Sequence, residues 1–279
     1  MASSIATQNW QQISSIRLQQ HQWQSSEVLP LDHQIPPQHL INAPTGVVEN
    51  FGLLLSRDVY SEGDSQILYD HLLSRRDELN HDFLVMLDLW LEDELKHYEA
   101  LRRTYRCLSG VSYGEMDRSF QQRVHNLEPI GMLLQDEFTI LVTLMFDEIG
   151  SVYSYRRDLA EYYCYFGTEI RQVAHHLVKD EGTHFGNAAE LLLWHHPHRL
   201  REVPALLGEI VALERRLGKY YQVFFLDHAQ EQHRFPPDFN QLISQVVLAR
   251  LDLGRSPNSS ALRQLWQWKP AGQNFTPFS

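Results

Sequence analysis

The sequence has few of the residues that mark several common protein classes. Its 279 residues include only two cysteines, Cys107 and Cys164, which are too few for a disulfide framework or a four-thiolate metal site. No apolar run reaches the roughly 18 residues that a membrane-spanning helix needs, and the first residues lack the basic start and apolar middle of a secretory signal. We therefore expect a soluble, cytoplasmic protein without a membrane span.

Basic residues are also scarce. The chain has 24 Lys and Arg against 35 Asp and Glu, which gives a net charge of −11. This balance disfavours nucleic acids and anionic membrane surfaces as partners. Hydrophobic residues make up 43% of the chain and charged residues 21%, a composition typical of a globular protein with a substantial core.

The pattern of prolines separates the first part of the chain from the rest. Residues 1–45 are rich in Gln, Ser and His and contain four prolines, so we expect an extended N-terminal arm that either covers the domain or is partly mobile. From Val47 to Cys107 there is no proline, and apolar residues recur at helical spacing. This stretch is too long for one helix, so the pattern predicts a hairpin that breaks within 76–80, with Asn80 as the N-cap.

The same reading predicts a second hairpin and further helices. The expected third helix covers 130–163, Gly167 and Thr168 provide a stop and an N-cap, and the fourth helix covers 169–194. Two more helices are expected near 204–230 and 238–253. The predicted fold is thus all-α, with a four-helix bundle of two hairpins at 46–196 and a C-terminal helical extension, residues 197–279, packed on it.

The two hairpins repeat each other in sequence. Within the first and third helices the offset between matching residues is 86, and within the second and fourth it is 87. A constant offset at several polar positions is much harder to obtain by chance than one motif. The matching pairs are Glu62 and Glu148, Ser65 and Ser151, Tyr69 and Tyr155, Asp93 and Asp180, Glu94 and Glu181, and His97 and His184.

Two Glu-x-x-His motifs lie on the apolar faces of the second and fourth helices. The composition predicts roughly one such motif by chance, and we assign that one to Glu78 and His81, which straddle the expected turn. The other two belong to stripes of residues spaced by three and four, so their side chains share a face with core residues.

This arrangement predicts a pair of metal ions. Four carboxylates and two imidazoles in one core would repel each other and lose hydration, whereas two divalent cations balance four negative charges. The expected ligands are Glu62, Glu94, His97, Glu148, Glu181 and His184, and oxygen-rich ligands with one His per metal favour iron or manganese over structural zinc.

Four further residues are expected to support the ligands. A metal-bound His commonly donates its second N–H to a carboxylate, so we expect Asp93 to support His184 and Asp180 to support His97. Ser65 and Ser151 lie one turn after the first Glu of each half and are candidates to face open metal positions.

Some assignments stay open. Asp58, one turn earlier, is the substitute if Glu62 is a surface residue. Tyr69 and Tyr155 are better explained as packing residues than as redox-active ones. His175 and His176 lie off the ligand stripe, which favours surface or outer-layer roles.

The six-residue pattern over about 46–196 resembles that of the ferritin-like di-iron carboxylate proteins: Glu, then Glu-x-x-His, then the same pair again. The resemblance implies two Fe ions, or one Mn and one Fe, with Glu94 and Glu181 as bridging ligands. No subfamily fits closely. Two cysteines cannot form a rubredoxin module, Leu101 stands where ribonucleotide reductases place a radical Tyr, and Glu148 with Ser151 is similar to the Glu-x-x-Thr of soluble acyl-carrier desaturases.

The resemblance implies an O2-activating oxidoreductase of oxygenase or desaturase type. Its expected partners are O2, an apolar or aromatic substrate, and an external electron donor such as a ferredoxin or a reductase, and a homodimer is left open. Trp90, Met86, Phe146, Tyr153 and Phe185 would line the substrate site or belong to the plain core. The alternatives are a ferroxidase or iron-handling protein without an organic substrate, and a bundle in which the metal only stabilises the fold.

Overall fold

The computed structural model describes residues 16–217, 225 and 235–254. Nine α-helices and no strands occur in these residues, which confirms the all-α prediction. The helices are α1 (Ser25–Val28), α2 (Pro37–Asn42), α3 (Val47–Leu73), α4 (His81–Ser109), α5 (Tyr113–Gln121), α6 (Glu137–Glu161), α7 (Thr168–His195), α8 (Val203–Leu217) and α9 (Phe239–Arg250).

Four long helices dominate the structure. Helix α3 packs along α4, α6 packs along α7, and α4 also contacts α7. Helices α8 and α9 pack against α6 and against each other. The two predicted hairpins are therefore present, and side chains from both can meet between α4 and α7.

The turn between α3 and α4 lies where the sequence predicts it, but Asn80 acts differently. Asn80 precedes the first residue of α4, yet its side chain does not cap that helix. Instead, its backbone N–H and its side-chain amide donate to the two carboxylate oxygens of Glu137, at 2.7 and 2.8 Å. The residue thus ties the start of α4 to the start of α6.

Helix α6 begins later than predicted. A 3₁₀ segment occupies Glu128–Leu134, and the α-helix starts only after Asp136, whose side chain accepts a hydrogen bond from the backbone N–H of Thr139 at 2.8 Å. The predicted helix 130–163 is therefore divided into a short 3₁₀ segment and an α-helix that Asp136 caps.

The start of α7 corrects a second detail. Thr168 is the first residue of the helix, and Gly167 is its N-cap. Gly167 has φ of 108°, a backbone conformation that residues with a side chain rarely adopt and that favours glycine. The glycine therefore sets the entry angle of α7, and no side chain caps it.

The two C-terminal helices are present where the structure describes them. Helix α8 begins at Val203, close to the predicted start, and residues 218–224 and 226–230 of the predicted 204–230 helix lie outside the described residues. Helix α9 covers Phe239–Arg250, within the predicted 238–253. Residues 255–279 are also outside the described part.

The N-terminal arm covers the helices over its described part, residues 16–45. Helix α1 packs against α4 and α7, and α2 contacts the 3₁₀ turn Tyr163–Tyr165. Residues 1–15 of the predicted arm lie outside the described residues.

Two apolar clusters form the core. The larger contains Phe83, Trp90 and Leu141, together with residues of α8 and α9, and the smaller contains Phe51, Leu55 and other residues toward the opposite ends of the four long helices. The central turns of these helices lie between the clusters and carry the polar residues described below.

No single helix within the described residues is long and apolar enough to cross a membrane. The criterion is met only when Glu128–Leu134 is joined to Glu137–Tyr165 across a bend of 111°.

Replacement of Leu141 by Ala tests the larger cluster. Leu141 is fully buried on α6, so Leu141→Ala is expected to lower the free energy of unfolding by about 2–5 kcal/mol in urea titrations. The matched control is Leu53→Ala at a 41% exposed position, with a change of about 0.5 kcal/mol or less. Equal effects of the two variants would contradict this core assignment.

Candidate metal centre

The six predicted ligand residues meet at the middle of the four long helices. Glu62 comes from α3, Glu94 and His97 from α4, Glu148 from α6, and Glu181 and His184 from α7. Every one of them is at most 5% exposed. The spacing along the sequence places the ligands of each helix on one face of that helix. The packing of the four helices then brings these four faces together.

The ligand atoms form two overlapping groups. One group comprises Glu94, Glu148, Glu181 and His184, and the other comprises Glu62, His97 and Glu181, with all ligand atoms of a group within 4.8 Å of one another. Glu181 belongs to both. The two groups are therefore adjacent, and each could hold a metal ion.

His184 faces three carboxylates through Nδ1. This nitrogen lies 3.2 Å from Glu94 Oε1, 3.2 Å from Glu148 Oε2 and 3.4 Å from Glu181 Oε2. Donor atoms that bind one cation at about 2.1 Å lie roughly 3–3.5 Å apart for tetrahedral to octahedral angles. The observed separations fit one shared cation.

His97 has a matching set of neighbours. Its Nδ1 lies 3.5 Å from Glu62 Oε2, 3.5 Å from Glu94 Oε2 and 3.6 Å from Glu181 Oε1. Glu94 and Glu181 therefore each turn one oxygen toward His97 and the other toward His184. Glu94 and Glu181 thus contact both histidines, whereas Glu62 faces only His97 and Glu148 faces only His184 among these pairs.

Several of these atoms are buried without a hydrogen-bond partner among the described residues. They are Glu62 Oε2, both carboxylate oxygens of Glu94, His97 Nδ1 and Glu181 Oε2. A buried polar atom without a partner is costly and uncommon. Five such atoms within the two ligand groups fit ligation of a cation by these residues.

The other ring nitrogens face the two supporting aspartates. His97 Nε2 lies 3.1 Å from Asp180 Oδ2, and His184 Nε2 lies 3.3 Å from Asp93 Oδ2. These are the crossed contacts that the sequence predicts. An N–H that donates to a carboxylate sets the tautomer, so that Nδ1 keeps its lone pair for a metal.

Glu148 and Glu62 each accept a hydrogen bond from an aromatic side chain, a contact that the sequence analysis did not predict. Trp90 Nε1 donates to Glu148 Oε1 at 2.9 Å, and the Tyr155 hydroxyl donates to Glu62 Oε1. Each donor occupies one carboxylate oxygen and leaves the other facing the cluster. Both aromatic residues lie on the ligand stripes of their helices, so their position, but not their role, was readable from the spacing.

Ser65 and Ser151 were expected to face open metal positions, and Ser65 instead has its hydroxyl bound within its own helix. Ser65 is fully buried and donates to the backbone carbonyl of Glu62 at 2.5 Å, within its own helix. Ser151 is buried on α6. Asp58, the substitute for Glu62, is only partly buried and lies outside both ligand groups.

The pKa values of the carboxylates separate into two pairs. Burial and the charge of Glu62 raise the pKa of Glu94 to about 8, and burial with the charges of Glu148 and Glu94 raises the pKa of Glu181 well above its usual value. Burial also acts on Glu62, but His97 and Glu94 outweigh it and lower its pKa to about 2. In Glu148 burial is likewise outweighed, chiefly by the charge of His184, and its pKa is lowered.

The histidines respond to the same charges in the opposite sense. Burial opposes protonation, but the carboxylates around them raise the pKa of His97 and His184 well above the usual value. The raised pKa values of Glu94, Glu181 and both histidines mean that protons compete with a cation for these groups.

The chain matched no protein-family model, no curated protein and no solved structure in the three comparisons made. The interpretation of this centre therefore depends on its geometry and on the chemistry of the ligand atoms.

The raised pKa of Glu94 predicts a pH effect in chelator-treated protein. The native state holds this proton more tightly than the unfolded chain, so the free energy of unfolding decreases as pH rises from about 4.5 to about 8. Glu94→Gln removes that decrease. The variant is expected to match the parent near pH 4.5 and to exceed it above pH 8 by about 1 kcal/mol or more in urea titrations.

Glu92→Gln is the control for this measurement, because Glu92 is exposed on the same helix. It is expected to leave the pH profile unchanged. A Glu94→Gln variant that is less stable than the parent at pH 8 would contradict the assignment.

Proposed function

We propose that the chain is a ferritin-like dinuclear iron protein that activates O2 to oxidise an apolar or aromatic organic substrate. The observation that carries the proposal is the pair of shared carboxylates. Glu94 and Glu181 each direct one oxygen toward the His97 side and the other toward the His184 side.

Charge supports two divalent cations rather than one. Four carboxylates provide four negative charges when ionised, and two neutral imidazoles complete the ligand set. Two divalent cations balance these charges in a site from which water is largely excluded. With a single cation, two of the four buried carboxylates would have to be neutralised by protons instead.

The ligand chemistry favours iron or manganese. Each position has one imidazole and otherwise carboxylate oxygens, and no thiolate takes part, since Cys107 and Cys164 lie elsewhere. Structural zinc prefers closed Cys and His shells. With two bridging and one terminal carboxylate and one His at each position, an octahedral ion keeps room for O2 or water.

The protein's own residues would hold the terminal ligands in place. Trp90 and Tyr155 bind the outer oxygens of Glu148 and Glu62, and the apolar clusters on both sides limit the access of water. The iron pair, once bound, would supply the redox chemistry for O2 reduction. Because no Gly-rich nucleotide motif or iron–sulfur thiolate set is present in the sequence, the electrons would come from an external ferredoxin or reductase.

The substrate class rests on the apolar surroundings of the centre. Met86 and Phe146 are buried in the larger cluster, and Phe185 packs against it. Trp90 lies in the same cluster and also donates a hydrogen bond to Glu148.

Metal analysis tests the dinuclear assignment. Protein reconstituted with Fe(II) under anaerobic conditions and desalted is expected to retain two iron ions per chain. Glu181→Ala is expected to retain fewer than one, because it removes the carboxylate common to both groups. Glu190→Ala, at an exposed position of the same helix, is the control and should retain two. Retention of two ions by Glu181→Ala would exclude the site described here.

Exposure of the reduced, iron-loaded protein to O2 separates the proposed oxidoreductase from iron handling. We expect a rapid optical change, iron that stays at two per chain, and no large assembly by light scattering. Uptake far beyond two ions per chain, with a cage-sized particle, would instead support a ferroxidase or storage function. No reaction with O2 would leave only a structural role for the metal.

A further inference from the structure

The N-terminal arm reaches the outer side of the metal centre through Asp180. The indole Nε1 of Trp23 donates to Asp180 Oδ2 at 2.6 Å, and His21 Nδ1 lies 2.8 Å from Asp180 Oδ1. Oδ2 is also the atom that faces His97. Both oxygens of the aspartate that orients one proposed ligand are therefore held by the arm.

Asp93 has a weaker connection to the arm. The side-chain amide of Gln20 donates to Asp93 Oδ1 at 3.2 Å, and Lys96 from the same helix donates to that oxygen at 2.7 Å. The other oxygen of Asp93 faces His184. The arm thus provides one neutral donor to Asp93, through Gln20, while α4 itself provides the charged donor, Lys96.

The arm is itself held on α7 by contacts around these donors. The backbone N–H and C=O of Gln19 pair with the side-chain amide of Asn187, at 2.9 and 2.7 Å. The Trp23 ring stacks on His176 with centroids 4.6 Å apart, and the other neighbour of His176 is the His21 ring at 5.1 Å. Trp23 is only 7% exposed, so the arm forms a closed cover over Asp180.

We propose that docking of the arm and binding of metal are energetically coupled, with Trp23 and His21 as positioning residues for the His97 half of the centre. The proposal rests on the proposed metal site. Loss of the carboxylate that orients a ligating imidazole typically lowers metal affinity 10–100-fold. An aspartate that has lost its outer donors holds the imidazole less firmly, so we expect a smaller loss in the same direction. Coupling is reciprocal, so bound metal also stabilises the docked arm.

The unequal contacts give the proposal a distinctive consequence. Asp180 depends on the arm for both of its outer donors, whereas Asp93 keeps Lys96 when the arm is lost. Disruption of the arm should therefore weaken the His97 position more than the His184 position. A general loss of structure would weaken both alike.

Trp23→Phe tests this consequence, since phenylalanine retains a ring to stack on His176 but has no N–H for Asp180. In Co(II) titrations followed by absorption and by competition with a chelator, one of the two ions is expected to bind about tenfold more weakly, at the lower end of the effect of losing Asp180 itself, and the other within about threefold of the parent. Trp194→Phe, at an exposed position of α7, is the control and should bind both ions as the parent does.

His21 provides a second variant with a built-in rescue. His21→Ala should weaken the same ion as Trp23→Phe, and His21→Gln should recover part of the affinity because its amide restores a donor. Each affected ion is assigned by comparison with Asp180→Asn, which changes the carboxylate that faces His97. Loss of affinity equally at both positions, or no loss, would overturn the proposal.

Hydrogen–deuterium exchange of the arm measures the reciprocal effect. Co(II) is expected to slow exchange in the segment 19–24 of the parent protein and to have little effect in Trp23→Phe. Equal exchange with and without Co(II) in a parent that binds two ions would contradict the coupling while leaving the proposed function intact. A parent that binds no Co(II) or Fe(II) would instead contradict the proposed function.

Discussion

The electrostatic constraint at the centre of the four long helices governs the rest of the structure. Four carboxylates and two imidazoles are buried within contact distance of one another, in a region where unpaired charge is costly. The raised pKa values of Glu94, Glu181 and both histidines reduce this cost, because these groups take up protons more readily than free side chains do. Such an arrangement is understandable when the protons can be exchanged for cations.

The two halves of the centre are alike in their ligands and different in their surroundings. The ligand distances around His97 and His184 match closely, as expected from duplicated hairpins. The outer contacts do not match: Tyr155 holds Glu62, Trp90 holds Glu148, and the arm holds Asp180 more firmly than Asp93. Two similar positions with unequal support would bind two ions with unequal affinity.

The six polar residues of the candidate metal centre also depend on the two apolar clusters on either side of them. These clusters pack the ends of the same four helices that carry the ligands, so the backbone on which the ligands sit is fixed from both directions. Their packing allows the central carboxylates to stay close together despite their repulsion.

Much of the site was readable from the sequence because its signal is local. Helical spacing places Glu94 and His97 on one face whatever the helix packs against, and the 86- and 87-residue offsets show that the same face occurs twice. The hairpin break near Asn80 was found for the same reason, since turn and capping preferences act over a few residues. The expectation that Glu94 and Glu181 bridge two metal ions came from the resemblance to a known family rather than from spacing.

Other features were decided only by the tertiary structure. The contact of Trp23 with Asp180 joins residues 157 positions apart, and no periodicity in the arm announces it. Trp90 and Tyr155 act as hydrogen-bond donors because of the helix that lies opposite each of them. Gly167 is the N-cap of α7 because of its positive φ, whereas the sequence preference for Thr at this position predicted Thr168 instead. Local spacing determines which residues share a helix face, but the partner of each face is set by the packing of distant segments, which spacing does not encode.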